Sequence, residues 1–117
     1  MKLRAALLFS SLLGVSTAVG SSPTLRMSPQ QAFEPATVRA TVTLEPNYLN
    51  QVLCLSWDSQ DGEMGQNCRT LDGQYEPKTR TYEVKLSAGQ YLFQASVERG
   101  PQWLFSARVP VSVLSKQ

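Results

Sequence analysis

The chain of 117 residues contains no histidine. Histidine is the base of the serine–histidine and cysteine–histidine nucleophile systems and the commonest metal ligand, so these classes of site are excluded. The sequence also lacks a phosphate-binding glycine loop and a dinucleotide-binding fingerprint, and none of its asparagines lies in a glycosylation sequon. These absences predict a protein that is not an enzyme and that holds no cofactor and no metal.

Long hydrophobic runs are limited to the N-terminus. Two basic residues precede an apolar run over residues 5–15, and small residues follow as far as Gly20. This order is typical of a secretory signal peptide, and the run is shorter than the ~20 residues that span a bilayer. We predict that residues 1–20 are a signal peptide cleaved after Gly20, with cleavage after Ala18 as the alternative. The mature chain is then periplasmic or extracellular, with no membrane span.

An excess of charge of one sign is also missing from the mature chain. The full sequence has 11 basic and 9 acidic residues, and the only charged residues before position 21 are Lys2 and Arg4. Removal of the signal therefore leaves equal numbers of positive and negative charges. A nucleic-acid partner requires a basic patch, whereas the basic residues here are scattered singly, so we predict no nucleic-acid partner.

After residue 20 the apolar residues repeat with a period of two, and no stretch of helical length keeps the 3.6-residue period of a helix. Apolar residues alternate in residues 37–44, 51–57, 79–86, 91–98 and 103–113. Strict alternation is typical of half-buried strands. Turn signals separate the segments, namely Glu45-Pro46-Asn47, Asp61-Gly62, Asp72-Gly73, Ala88-Gly89 and Gly100-Pro101. Short strands at this spacing predict a single all-β domain, either a sandwich or a barrel.

One stretch favours the sandwich. Leu86-Ser-Ala-Gly-Gln-Tyr91 is followed by alternating apolar residues that begin with Phe93. This stretch resembles the turn into strand F of immunoglobulin-like (Ig-like) and fibronectin-type-III-like domains, where a tyrosine hydrogen-bonds back across the turn as a tyrosine corner. The resemblance covers residues 37–114. It implies an Ig-like antiparallel β-sandwich of about seven strands with Greek-key connections.

The resemblance also implies roles for single residues. Tyr91 matches the corner tyrosine, and Trp57 resembles the core tryptophan of such folds. Strands 37–44 and 91–98 lack the cysteines that join the corresponding strands of antibody domains, so the chain resembles a bacterial-type Ig-like module instead. Residues 21–36, which contain three prolines, are predicted to be an extended N-terminal segment or edge strand preceding a domain over 37–117.

The alternation of apolar residues also predicts which side chains lie in the core. Phe93 lies in the apolar stripe of its strand, and Trp103 shares parity with the apolar residues up to Val113. We therefore predict that Trp57, Phe93 and Trp103 are core side chains.

Cys54 and Cys68 are the only cysteines. If the turn between them is centred on Asp61, the two cysteines face each other across one hairpin, on the face opposite Trp57. Facing residues are close enough for a disulfide, which an exported chain is expected to form. The alternative is two free thiols at a metal or redox site, although one pair without histidine is a poor zinc site.

The segment between the cysteines is the most polar part of the chain. We interpret residues 58–65 as a solvated hairpin tip, with a partial calcium site as the alternative. Loops at the ends of Ig-like folds often carry recognition. The candidate recognition residues are Asp58, Asp61, Glu63 and Met64. Met64 either inserts into a partner or folds back over Trp57.

These observations favour a non-catalytic exported module for protein–protein interaction or envelope assembly. Its edge strands and the 58–65 loop would contact another protein. The alternative is a carbohydrate- or ligand-binding module, for which Tyr48, Tyr75 and Trp103 are the aromatic candidates, although the two tyrosines lie in separate predicted turns. A small hydrolase using paired carboxylates is the remote alternative.

Overall fold

The computed structural model describes residues 21–116, which form nine β-strands in two packed sheets. The strands are β1 (Thr24–Ser28), β2 (Gln31–Phe33), β3 (Ala36–Thr43), β4 (Asn50–Ser59), β5 (Met64–Thr70), β6 (Thr79–Leu86), β7 (Gly89–Arg99), β8 (Gln102–Phe105) and β9 (Val109–Leu114). A short 3-10 helix, Gly73–Tyr75, lies between β5 and β6. The all-β prediction is confirmed. The predicted signal peptide lies outside the described residues, within which no helix is long and apolar enough to cross a membrane.

The two sheets differ in size. The smaller sheet has the order β1-β3-β6, and the larger sheet has the order β2-β9-β7-β4-β5, with β8 also paired to β7. The pairing of β2 with β9 is parallel and the other strand pairs are antiparallel. The chain passes between sheets after β1, β2, β3, β5 and β6. The predicted sandwich is thus confirmed, with two more strands than the seven expected.

The predicted N-terminal segment belongs to the sandwich itself. β1 pairs antiparallel with β3, and β2 pairs with β9 so that Ala32 lies beside Val113. Met27 of β1 and Ala36 at the start of β3 are buried in the same core cluster. Residues 21–36 therefore contribute one edge strand to each sheet, and no boundary separates them from the rest of the domain.

The core lies between the sheets and is filled by alternating side chains. The largest fully buried ones are Phe93, Leu53, Leu55, Val38, Val42, Val97 and Val111. Each contributes about 1.5–3 kcal/mol relative to an exposed side chain. Trp57 is half-buried at the edge of the core, where it stacks on Phe93 with ring centroids 5.3 Å apart. The Tyr91 hydroxyl donates a 2.8 Å hydrogen bond to the Ser87 carbonyl, the contact implied by the tyrosine-corner resemblance.

Trp103 is not a core residue, and the sequence prediction for it is wrong. Its side chain is 45% exposed. Trp103 pairs with Glu98 and Val109 pairs with Phe93, so the chain advances six residues while β7 spans five. The extra residue makes a β-bulge, which reverses the alternation beyond it. As a result Leu104 faces inward, and the alternation over 103–113 does not describe one continuous strand.

Ser106 holds this bulge together from a buried position. Its hydroxyl accepts a hydrogen bond from the Ala95 N–H at 2.9 Å and donates one to the Ala107 carbonyl at 2.8 Å. Its own N–H donates to the Ala95 carbonyl at 2.8 Å, and the Gln94 side-chain amide donates to the Ser106 carbonyl at 3.0 Å. The backbone groups freed by the interrupted ladder are therefore satisfied locally.

Candidate functional site

Cys54 and Cys68 form a disulfide bond. They lie directly opposite each other in the β4–β5 ladder, in which Trp57 also faces Gly65. The register predicted from the turn position is therefore confirmed. Cys54 is buried and Cys68 is exposed, and the bond lies on the face of the larger sheet that points away from the smaller one. The disulfide thus closes the β4–β5 hairpin from outside the core.

The tip of this hairpin is shorter than the predicted loop. β4 continues to Ser59 and β5 begins at Met64, which leaves residues 60–63 as the connection. The Ser59 N–H donates to the Glu63 carbonyl at 2.8 Å, and the Glu63 N–H donates to the Ser59 hydroxyl at 3.1 Å. Gly62 has a φ of 93°, which suits glycine in the tight turn. Within residues 21–116, no group of three acidic, cysteine or histidine side chains could hold a metal ion.

The structure divides the four candidate recognition residues into two pairs. Asp61 and Glu63 are exposed at the tip. Asp58 and Met64 lie opposite each other within the strands and point to the outer face of the larger sheet. The Met64 side chain is 80% exposed and lies on the face opposite Trp57, so the fold-back orientation is wrong.

The outer face of the larger sheet carries exposed apolar side chains. We call it the apolar face, and its large hydrophobic residues are Phe33, Met64, Leu92, Trp103, Phe105 and Leu114. Other large exposed hydrophobic residues within 21–116 lie in the connections between strands, at Tyr48, Leu49 and Tyr75. Every large exposed hydrophobic side chain on a described strand is therefore on this one face.

Strand pairing places the apolar residues in small groups along this face. Met64 and Leu92 flank Asp58 on either side, and Phe33 lies beside Leu114. The sequence singled out Met64 and Trp103 among the six, and its alternation over 103–113 wrongly placed Phe105 with Trp103 on the inward side. The exposure of Leu92 could have been predicted from the sequence, because Leu92 occupies an outward position between two core residues of one strand. The exposure of Phe33 could not, since its position depends on the parallel pairing of two strands far apart in sequence.

The outer face of the smaller sheet has the opposite character. Its outward residues are Thr24, Arg26, Ser28, Thr37, Arg39, Thr41, Thr43, Thr79, Thr81, Glu83 and Lys85. Arg39 and Glu83 form a 3.4 Å ion pair across it. An antiparallel sheet with one solvated face needs only polar side chains there. The fold therefore does not require the apolar residues on the larger sheet.

An open groove of about 370 Å³ crosses one end of the apolar face. Met64, Leu92, Asp58 and Arg108 are among the residues that line it. Neither Asp58 nor Arg108 takes part in a salt bridge with another residue of the described range. The groove thus offers one carboxylate, one guanidinium and two flexible apolar side chains to a partner.

β5 is a free edge beside the apolar face. It pairs with β4 on one side and with no strand of residues 21–116 on the other. Its seven residues contain no proline and one charge, Arg69. Sheet edges usually carry several charges, prolines or bulges that block pairing with another chain. The β5 edge is therefore open to an added strand.

A second groove, of about 520 Å³, lies at the opposite end of β4. Tyr48 and Tyr75 both line it. They come together because β5 returns antiparallel to β4, so that the Leu71 N–H donates to the Gln51 carbonyl at 2.8 Å. The expectation that the two tyrosines are separate is therefore wrong. We call this site the tyrosine groove.

Tyr82 is an unusual polar group inside the sandwich. Its hydroxyl is buried and has no hydrogen-bond partner among the described residues. Burial raises the pKa of Tyr82 above its ordinary value of 10.0, and the positive charges of Arg80 and Arg69 partly oppose this shift. A neutral phenol is the favoured form, because an ion loses more on removal from water.

Three surface features therefore stand out: the apolar face, the free β5 edge and the tyrosine groove. The first two adjoin each other, and the third lies at the other end of the hairpin. Compared with known proteins, the chain matches no protein-family model and no curated protein sequence.

Proposed function

We propose that this chain is an exported Ig-like module that binds another protein through its apolar face and does not act as an enzyme. The observation that carries the proposal is the contrast between the two outer faces, one apolar and one polar. Exposed apolar side chains gathered on one face are costly in water, and large apolar patches commonly mark interaction sites. Aromatic residues and methionine are also enriched where interfaces are fully buried.

The Ig-like assignment rests on connectivity. Strand orders β1-β3-β6 and β2-β9-β7-β4-β5 resemble the two-sheet arrangement of Ig-like and fibronectin-type-III-like domains. The hydrogen bond from Tyr91 to Ser87 supports the same assignment. Resemblance in strand order supports the fold alone, because one fold can carry many functions, and the proposed binding rests on the apolar face.

Export is supported by two independent features. The first twenty residues have the composition of a secretory signal, and the described chain contains the Cys54–Cys68 disulfide. Disulfides form and persist in oxidising compartments and are rare in the cytosol. We therefore place the protein in the periplasm or outside the cell.

The surface also limits the kind of partner. Among residues 21–116, only Asp58, Glu98 and Arg108 bring charge to the apolar face. A fitting partner presents an apolar surface with few charges. Because Met64 belongs to the free strand β5, a partner with an extended segment could add a strand to that edge and cover the apolar face at once.

Photocrosslinking in cells that express and export this protein tests the proposal. A photoreactive amino acid replaces Leu92 or Phe105 on the apolar face, and Thr41 or Thr81 on the polar face serves as the matched control. We expect a discrete adduct with one partner protein from the apolar face only. Adducts of equal yield from both faces, or none from the apolar face, would refute the proposal.

A double substitution sharpens the result. Trp103→Ser with Phe105→Ser removes two aromatic rings that are about half exposed, at 45% and 53%. Substitutions at partly exposed positions outside the core are expected to lower the free energy of unfolding only slightly, by about 0.5 kcal/mol each. The double variant should therefore fold, keep its disulfide and lose the adduct formed from Leu92.

A further inference from the structure

The tyrosine groove has a lining that the fold does not explain. Tyr48 is 75% exposed and Tyr75 is 79% exposed. Tyrosine rings that serve the core are covered, as in the case of Tyr91. The remaining residues that line the groove are Asn50, Gln51, Thr70, Leu71, Asp72, Gly73 and Gln74. Two open aromatic rings therefore share one concavity with several polar side chains.

The two connections that carry the rings are held against each other. A Cβ atom on Gly73 would lie 3.3 Å from the backbone of Tyr48, and Gly73 has a φ of 60°. The backbone of Tyr75 is fixed by a hydrogen bond of 3.1 Å, which its N–H donates to the Asp72 carbonyl. Asn50 anchors the floor from below, since its side chain bonds both Arg99 and the Glu45 carbonyl. The groove is thus preformed.

Several polar groups of the groove remain free to bind a ligand. The side chains of Gln51, Asp72 and Gln74 make no hydrogen bond to any other residue of the described chain. Together they present two amides and one carboxylate. An ionised carboxylate accepts two hydrogen bonds side by side, and an amide both donates and accepts.

The lining of the groove carries no positive charge, as far as residues 21–116 form it. Arg69, the nearest basic residue along the chain, lines a different concavity together with Tyr82. Arg99 is buried beneath the floor, where it bonds Asn50. An anionic ligand would therefore meet the Asp72 carboxylate with no basic side chain in the lining to offset it.

We propose that the tyrosine groove binds a neutral saccharide. A sugar ring has an apolar face of C–H groups and a rim of hydroxyls. The tyrosine rings would stack on the C–H groups of the sugar, and the side chains of Asp72 and the two glutamines would form hydrogen bonds with its hydroxyls. The site is distinct from the apolar face, so this proposal does not depend on the partner proposed above.

The test uses the mature chain with its disulfide intact. It is screened against an array of neutral and anionic oligosaccharides, and the best neutral oligosaccharide is then titrated by NMR. We expect neutral glycans to bind and to shift resonances of the groove. Tyr48→Ala and Tyr75→Ala should each weaken binding about tenfold or more, and Asp72→Asn should also weaken it, because hydrogen bonds to a charged group are the stronger ones.

Matched controls separate binding from folding and from the first proposal. Tyr75→Phe keeps the ring and should keep most of the affinity. Trp103→Ser lies on the apolar face and should leave saccharide binding unchanged while it impairs crosslinking. The proposal is overturned if no neutral glycan binds at millimolar concentration, if only anionic glycans bind, or if the folded Tyr48→Ala and Tyr75→Ala variants bind as well as the parent.

Discussion

The indole ring of Trp57 lies directly against the backbone of Gly65 on the neighbouring strand. A Cβ atom on Gly65 would be 2.3 Å from Trp57 Cε2. On its other side Trp57 stacks on Phe93, with ring centroids 5.3 Å apart. The position therefore requires glycine, although its backbone has no unusual conformation, and Gly65 fixes the indole that closes this edge of the core.

Replacing Gly65 by alanine should push the indole away from Phe93. Overpacking of this kind costs about 1–3 kcal/mol in the free energy of unfolding. In a Trp103→Phe background, the fluorescence of Trp57 should move to longer wavelength, and urea unfolding should show the loss. Gln66→Ala, one residue further along and exposed, is the control and should change stability by less than about 0.5 kcal/mol. An alanine variant as stable as the parent would contradict the contact.

Replacing Tyr91 by phenylalanine should lower the free energy of unfolding by about 1 kcal/mol, the usual net value of one hydrogen bond. The variant loses the 2.8 Å bond to the Ser87 carbonyl but keeps the ring in the core. Urea denaturation measures the difference. Tyr75→Phe removes an exposed hydroxyl and should leave stability unchanged. Equal stabilities for Tyr91→Phe and the parent would mean that the corner bond contributes nothing.

Tyr82→Phe should behave in the opposite way. Its hydroxyl is buried without a partner in the described chain, so removing it should leave stability at neutral pH unchanged or slightly higher. Because burial raises the pKa of Tyr82 above 10.0, the folded state holds this proton more tightly than the unfolded state. The resulting stabilisation is complete below about pH 10 and is lost as pH rises through the folded-state pKa.

Denaturation curves at pH 8 and above pH 10 test this linkage. The parent should lose more stability over that interval than Tyr82→Phe does, since the variant lacks the titrating group. The pH dependence of Tyr91→Phe provides the comparison. A steeper loss in Tyr82→Phe than in the parent would reverse the sign and exclude the assignment.

Replacing Ser106 by alanine should destabilise the domain by about 1–3 kcal/mol, the cost of leaving a buried donor unpaired. The donor is the Ala95 N–H, which bonds the Ser106 hydroxyl at 2.9 Å. Hydrogen exchange at Ala95 should accelerate in the variant. Ser112→Ala removes a more exposed hydroxyl, bonded to Gln90, and should have a much smaller effect. Unchanged exchange at Ala95 would show that the bulge does not depend on the serine.

Reduction of the Cys54–Cys68 bond should lower the free energy of unfolding by about 3 kcal/mol, as the chain-entropy model gives for a loop of this length. The core lies on the other face of the sheet, so the reduced domain should remain folded at neutral pH. Denaturation with and without reductant, with alkylation of free thiols, measures the effect. Full alkylation without any loss of stability would contradict it.

Most of the architecture could be predicted from local patterns. In β3, and over residues 91–99 of β7, the side chain at every second position is buried. In β4 Leu53 and Leu55 are buried and Trp57 is half-buried, and the hairpin register followed from the position of Asp61-Gly62. These features depend on neighbouring residues and on the period of a strand. The N-terminal strands were less visible, because they are short, prolines lie between them, and the partner of β2 lies far along the chain.

The surfaces were harder to predict, because each depends on long-range pairing. The two tyrosines meet only after β5 returns beside β4. Trp103 was assigned to the core because alternation continues unbroken across the bulge, and Ser106 carries no turn signal. Periodicity shows which residues share a face of one strand, but it does not show where an inserted residue exchanges the two faces.

The inserted residue lets an aromatic surface and an apolar core share one side of β7. Trp103 faces outward because the Gly100-Pro101 turn sets it opposite Glu98, whereas Val109 faces inward because it lies opposite Phe93. The 106–108 connection reconciles the two orientations. Loss of one residue from it would set them against each other, so a single-codon deletion would cost the protein either its aromatic surface or part of its core while every other residue stays the same.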